Sequence, residues 1–77
     1  MADLKMPNLG MTMLEGFIVK WEREDGDQVS EGDALVEVSS ETGKLSMVIE
    51  APEDGILRII ALEGDKVKCG GLVGKIE

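Results

Sequence analysis

The sequence predicts an all-β domain: a flattened β-barrel or sandwich whose two halves are related by a pseudo-twofold axis. Three observations predict it. Ten glycines stand against two prolines in 77 residues, a composition of turns and short strands rather than of a helical bundle. Apolar runs of four to seven residues recur between glycine and acidic clusters, and no window joins a helical period to helix caps. The pattern Gly-Asp-x-Val-x-x-Gly occurs twice, as Gly26-Asp27-Gln28-Val29-Ser30-Glu31-Gly32 and as Gly64-Asp65-Lys66-Val67-Lys68-Cys69-Gly70.

A first strand is expected around Leu4-Lys5-Met6 and a second at Phe17-Ile18-Val19-Lys20-Trp21. Leu35-Val36-Glu37-Val38 reads as the third. Leu45-Ser46-Met47-Val48-Ile49-Glu50 reads as the fourth, with Leu45, Met47 and Ile49 on one face and Val48 interrupting the alternation. Ile56-Leu57-Arg58-Ile59-Ile60-Ala61-Leu62 is the most apolar run, so it is expected to be well buried. Leu72-Val73-Gly74-Lys75-Ile76 completes the set. Phe17 and Trp21 are the only aromatic residues, so valine, isoleucine, leucine and methionine must fill the core. A chain of this length buries only about 60% of its unfolded surface, so that core must be compact.

The repeat organises these elements. Each copy follows a strand that starts after a glycine, Gly16 or Gly55, and each leads into an apolar run ending near Val38 or Ile76. Two copies of such a unit are too few for a solenoid. They can instead pack face to face. The repeated glycines suit turns at positive φ, and the valine between them can point inward. At the centre of the chain, Ser39-Ser40-Glu41-Thr42-Gly43-Lys44 is polar and lies between two strands, which predicts a hairpin turn with Lys44 at its tip. The symmetric counterpart of that turn is the chain termini, so the hairpin is unique in the molecule.

Composition excludes several functions. Sixteen acidic residues oppose eight basic ones, giving a net charge of −8, which argues against nucleic acid and against anionic membrane surfaces. The acidity suits either solubility or basic partner surfaces. A single cysteine forms no internal disulfide. No segment approaches the roughly 20 apolar residues of a membrane span, and the opening residues do not read as a signal peptide. Histidine is absent, and no metal-ligand spacing, nucleophile–base pair or acid–base pair stands out. Cys69 reads as incidental, with only Lys66 and Lys68 nearby in sequence.

Met6-Pro7-Asn8-Leu9-Gly10-Met11-Thr12-Met13, Glu15-Gly16 before the strand ending in Trp21, the first repeat copy with Asp33, the block from Leu35 to Lys44, and Glu50-Ala51-Pro52 with Gly55 together cover nearly the whole chain. In these blocks the sequence resembles the lipoyl domains of dihydrolipoyl acyltransferase components of pyruvate- or acetoin-type 2-oxo acid dehydrogenase complexes. The resemblance implies a barrel-sandwich hybrid of two four-stranded sheets over residues 1–77. It implies lipoic acid in amide linkage to Lys44, attached by a lipoate ligase or lipoyl transferase that activates the acyl group. It further implies a non-catalytic carrier that serves a thiamine-dependent 2-oxo acid decarboxylase or dehydrogenase, an acyltransferase core and the flavoprotein dihydrolipoyl dehydrogenase. Its expected location is the bacterial cytoplasm, or the mitochondrial matrix if a targeting segment has been removed.

The same resemblance marks Glu41, Thr42, Gly43 and Leu45 as recognition residues around Lys44, and Met11 and Met13 as partner contacts in a loop beside the hairpin. Each has an alternative. Glu41 also reads as a solvated turn carboxylate, and the two methionines also suit a small core. The family motif carries aspartate where this chain has Gly43, and alanine or valine where it has Leu45. Replacing Gly43 by aspartate should stabilise the turn if Gly43 has negative φ, and do the reverse if φ is positive. Biotin carriers share the implied fold but flank their lysine with methionine. Biotin attachment is therefore the runner-up, and an unmodified β-sandwich adaptor is the third reading.

Overall fold

The computed structural model describes residues 1–9 and 14–77, and its described elements are all strands. They are β1 (Ala2–Lys5), β2 (Glu15–Trp21), β3 (Gln28–Val29), β4 (Ala34–Ser40), β5 (Ser46–Glu50), β6 (Gly55–Ile59), β7 (Lys66–Lys68) and β8 (Leu72–Ile76). Two four-stranded antiparallel sheets result, ordered β1-β8-β6-β3 and β5-β4-β2-β7. Laying one order on the other matches β1 with β5, β8 with β4, β6 with β2 and β3 with β7. The pseudo-twofold expected from the repeat is therefore present in the topology.

The repeated motif builds the crossing points between the halves. Gly26 N–H donates to Leu57 O at 2.8 Å and Leu57 N–H to Asp27 O at 2.9 Å; across the axis, Gly64 N–H donates to Ile18 O at 2.7 Å and Ile18 N–H to Asp65 O at 3.0 Å. Each motif aspartate closes its own turn. Asp27 Oδ2 accepts from Glu24 N–H and Asp65 Oδ2 from Leu62 N–H, both at 2.9 Å. Gly26, Gly32, Gly64 and Gly70 have φ of 90°, 89°, 89° and 85°, in the left-handed region that glycine adopts without a Cβ penalty. Val29 is fully buried, while Val67 packs partly buried against the core.

The symmetry extends beyond that motif. Ala51 N–H donates to Asp33 O and Ala51 O accepts from Gly32 N–H; likewise Met6 N–H donates to Gly71 O and Met6 O accepts from Gly70 N–H. Both residues are buried, and both precede a proline, Pro52 and Pro7. The register also slips in matching places. Leu35 is the extra residue where β4 pairs with β5, and Val73 is the extra residue where β8 pairs with β1. Such bulges re-aim side chains, and here the adjacent residues Leu35 and Val36 are both completely buried.

The core comprises Leu4, Met6, Ile18, Val29, Leu35, Val36, Val38, Ala51, Leu57, Ala61, Val73 and Ile76, with Trp21 packed at its edge. It is aliphatic, as composition requires. Several sequence expectations need correction. The first strand is Ala2–Lys5 rather than Leu4–Met6, because Met6 turns to pin the 70–71 backbone and Pro7, lacking an N–H, cannot extend the pairing. The run from Ile56 to Leu62 is not well buried as a whole. Its strand ends at Ile59, and Ile60 and Leu62 are 50% and 64% exposed. Beyond Ile59 the chain leaves the ladder, with Ile60 and Ala61 N–H both donating to Val73 O and Ala61 O accepting from the Trp21 indole Nε1 at 2.8 Å. Strands β3 and β7, two and three residues long, lie inside segments expected to be turns.

Candidate functional site

β4 and β5 form the central hairpin, with Val38 opposite Met47 and Ser39 opposite Ser46. Ser40 N–H donates to Leu45 O at 2.8 Å and closes the ladder. Glu41, Thr42, Gly43 and Lys44 remain as a four-residue loop, all exposed. Inside it Gly43 N–H donates to Ser40 O at 2.9 Å, a tight turn that Gly43, at φ +76°, reverses toward β5. A Cβ placed on Gly43 would meet no heavy atom within 4 Å, so the backbone angle alone favours glycine there.

The two expected faces of the fourth strand are present, and Val48 is the apolar residue that interrupts the polar outer one. Met47 and Ile49 face the same way as their partners Val38 and Val36, whereas Val48 lies opposite Glu37 on the outer face. Yet Leu45, Met47 and Val48 are 48%, 42% and 44% exposed. The hairpin thus presents apolar side chains on both faces next to Lys44. Across the pseudo-twofold its counterpart is the β8–β1 pair, where Ala2 lies opposite Ile76. That counterpart joins the two ends of the chain and has no connecting turn.

Glu41 reaches out of the loop. Its Oε1 accepts from Glu15 N–H at 3.3 Å, which ties the loop to the start of β2. The sequence suggested either a solvated carboxylate or a recognition group, and this third role was not visible in it. Met11 and Met13 lie outside the described residues. Leu14, which follows them, is 75% exposed, and its carbonyl accepts from Cys69 N–H at 2.9 Å. Cys69 is half-buried, with its thiol directed at Pro7 O, 3.7 Å away.

Ser40 escaped the sequence reading. It is the one buried polar side chain among the described residues. Its hydroxyl accepts from Leu45 N–H at 3.2 Å and lies 3.3 Å from Thr42 Oγ1, which in turn accepts from Lys44 N–H at 3.4 Å. A serine inside a polar stretch carries no burial signal, so only the register of the hairpin reveals it.

Among the described residues the Lys44 amine has no ion pair and no ring contact, unlike Lys75, which pairs with Glu77 at 3.4 Å, and Lys66, 5.5 Å from the centre of the Phe17 ring. The ion pair that shifts a carboxyl among the described residues lies elsewhere, between β6 and the residue after β8: Arg58 Nε donates to Glu77 Oε1 at 2.7 Å and holds that carboxyl below the ordinary carboxylate range. An exposed primary amine on a projecting four-residue loop fits covalent attachment of an acyl group as an amide.

Residues 2–76 match the biotin/lipoyl family, described as "Biotin-requiring enzyme". The chain is 36% identical over 77 residues to the dihydrolipoyllysine-residue succinyltransferase component of the 2-oxoglutarate dehydrogenase complex of Bacillus subtilis, covering 99% of this chain and 18% of that protein. It is 46% identical over 70 residues to the mitochondrial pyruvate dehydrogenase protein X component of Mus musculus, covering 88% of this chain and 14% of that one. With the acetyltransferase component of the acetoin cleaving system of Pseudomonas putida it shares 42% identity over 74 residues, 95% of this chain and 20% of the relative. The chain thus spans a fifth or less of these relatives. The solution structure of the lipoyl domain of the 2-oxoglutarate dehydrogenase complex from Azotobacter vinelandii matches at a TM-score of 0.82 and 28% identity, over 100% of this chain and 96% of that one.

Proposed function

This chain belongs to the biotin/lipoyl attachment family, and from that premise we propose that residues 1–77 form a lipoyl carrier domain with Lys44 as the attachment site. The observation that carries the reading is the position of Lys44: exposed, unpaired among the described residues, and on the one hairpin turn that the pseudo-twofold does not duplicate. Lipoic acid in amide linkage would supply a dithiolane whose sulfurs accept acyl groups and electrons. The chain's own contribution is non-catalytic. The hairpin holds the lysine clear of the core, and a tether at that point raises the effective concentration of one carried group near successive active sites.

The proposed partners are those that the family resemblance implies, and the relatives' names support only their setting in 2-oxo acid dehydrogenase or acetoin-cleaving complexes. These partners are a lipoate ligase or lipoyl transferase, a thiamine-dependent enzyme acting on a 2-oxo acid or acetoin, an acyltransferase core, and dihydrolipoyl dehydrogenase. Glu41, Thr42, Gly43 and Leu45, with Met11 and Met13 in the neighbouring loop, are the proposed recognition residues. Relatives of this kind come from bacteria and from mitochondria, so the bacterial cytoplasm or the mitochondrial matrix is the proposed setting.

Biotin is the competing cofactor, favoured by the description of the matching family. Gly43 and Leu45 in place of flanking methionines, and relatives named for dihydrolipoyllysine, support lipoate instead. The test is expression in cells supplied with both cofactors, followed by intact mass and peptide mapping. A lipoyl increment on the Lys44 peptide is expected. A biotinyl increment, no increment, or lipoylation of another lysine would refute the proposal.

A further inference from the structure

We infer that Ser40 and Thr42 form a two-hydroxyl clamp that pre-organises the backbone around Lys44 for the modifying ligase, an inference that rests on the lipoyl carrier reading. The three amides that follow Thr42 are all held by these two residues. Gly43 N–H goes to Ser40 O at 2.9 Å, Lys44 N–H to Thr42 Oγ1 at 3.4 Å, and Leu45 N–H to Ser40 Oγ at 3.2 Å. The hydroxyls lie 3.3 Å from each other. Since each hydroxyl already accepts an amide proton, the contact between them needs one to donate its own, and the pair then acts as a unit.

The clamp is anchored at one end and open at the other. Ser40 is 7% exposed and sits at the last rung of β4, whereas Thr42, Gly43, Lys44 and Leu45 are exposed. Water can therefore replace the lost acceptor if either hydroxyl is removed, so the domain keeps its fold. What changes is the set of conformations sampled at Lys44. When only a fraction of a site is in the binding-competent form, apparent affinity falls by that fraction. Ser40 and Thr42 are thus positioning residues. Their effect appears in KM for the protein substrate, with kcat unaltered once the loop is seated.

The experiment uses the unmodified 77-residue protein, a lipoate ligase, lipoic acid and ATP, with Ser40→Ala, Thr42→Val and Thr42→Ser as variants. Thr42→Val keeps the shape and loses the hydroxyl; Thr42→Ser keeps the hydroxyl and loses the methyl. All should melt cooperatively within a few degrees of the parent. Ser40→Ala and Thr42→Val should raise KM for lipoylation roughly fivefold at near-parental kcat, the scale expected for losing one net hydrogen bond, whereas Thr42→Ser should stay within about twofold on that scale. Amide exchange at Lys44 and Leu45 should quicken in the two variants that lose a hydroxyl. Parental KM and exchange in both of those variants would overturn the clamp while leaving the carrier reading intact. So would a Thr42→Ser protein as impaired as Thr42→Val. A parent that the ligase leaves unmodified would remove the carrier reading, and this inference with it.

Discussion

Gly43 offers the sharpest test of the hairpin geometry. Its φ is +76°, and a Cβ there would meet nothing within 4 Å. A substitution thus costs backbone energy alone, without a clash. For alanine the left-handed penalty is about 1–2 kcal/mol, partly offset by a stiffer unfolded chain, so a net loss of about 1 kcal/mol is expected. In a domain of this size that lowers Tm by roughly 4–8 °C. Aspartate and asparagine tolerate this region because their side chains hydrogen-bond locally. Gly43→Asp should therefore lose only about half as much and Gly43→Asn less still. Thermal melts followed by circular dichroism on the unmodified proteins give the order parent, Asn, Asp, Ala. An alanine variant that melts at or above the parent would refute the assigned backbone conformation. Function can move the other way. Gly43→Asp restores the carboxylate of the family motif, so the lipoylated variant should be reductively acylated faster by a pyruvate-type thiamine enzyme, and equal rates would show that partners do not read that group.

Lys44→Ala should leave the melt within about 2 °C of the parent, since replacing an exposed side chain with no partner among the described residues changes stability by less than about 0.5 kcal/mol. Gly55→Ala should be severe. Its Cβ would lie 2.5 Å from Glu77 O and from Ile76 Cγ2, an overpacking against backbone that costs about 2–3 kcal/mol and is read as a lowered urea midpoint. Glu77 supplies the pH dependence. Arg58 lowers its folded-state pKa, so its stabilisation is complete above the unfolded carboxylate value of about 4.3 and is lost as pH falls through the folded value. Glu77→Gln should flatten that acid limb in melts taken between pH 5 and pH 2, while an unchanged limb would show that the ion pair contributes nothing.

The fold class was legible because its signals are local and repeated. The repeated left-handed glycines and the short apolar runs at 35–38 and 45–50 each state their geometry directly. What stayed hidden depends on pairing between distant segments. Met6 and Ala51 differ in size and shape, yet they occupy equivalent places because each pins a glycine turn. The bulges at Leu35 and Val73 only look like broken alternation until the partner strand is known. Apolar content misjudged the segment after Ile59 for a related reason: hydrophobicity reports what a strand can bury, and the ladder decides where the strand stops. At the candidate site, the motif singles out Lys44 for attachment, but the buried hydroxyl of Ser40 and the reach of Glu41 to Glu15 follow from register alone.

The same topology makes a demanding prediction about chain continuity. Of the six strand pairings among the described residues, β1–β8, β2–β7, β3–β6 and β4–β5 join the first half of the chain to the second; the other two, β2–β4 and β6–β8, stay within one half. A chain cut between Thr42 and Gly43 leaves each fragment with a single strand pair, and two-stranded units are at best marginally stable in water. Neither fragment should fold alone. The mixture should, because the β8–β1 pair, equivalent to β4–β5 by the pseudo-twofold, already holds without any connecting turn. Fragments 1–42 and 43–77 are thus expected to show no cooperative melt singly. An equimolar mixture should recover the β spectrum and unfold at a temperature that rises with concentration, as association requires. Cooperative unfolding of fragment 1–42 by itself would contradict the interlocked halves. Failure of the mixture to assemble would mean that the 41–44 loop is needed to build the fold, and that the hairpin carrying Lys44 is not free of the core's demands.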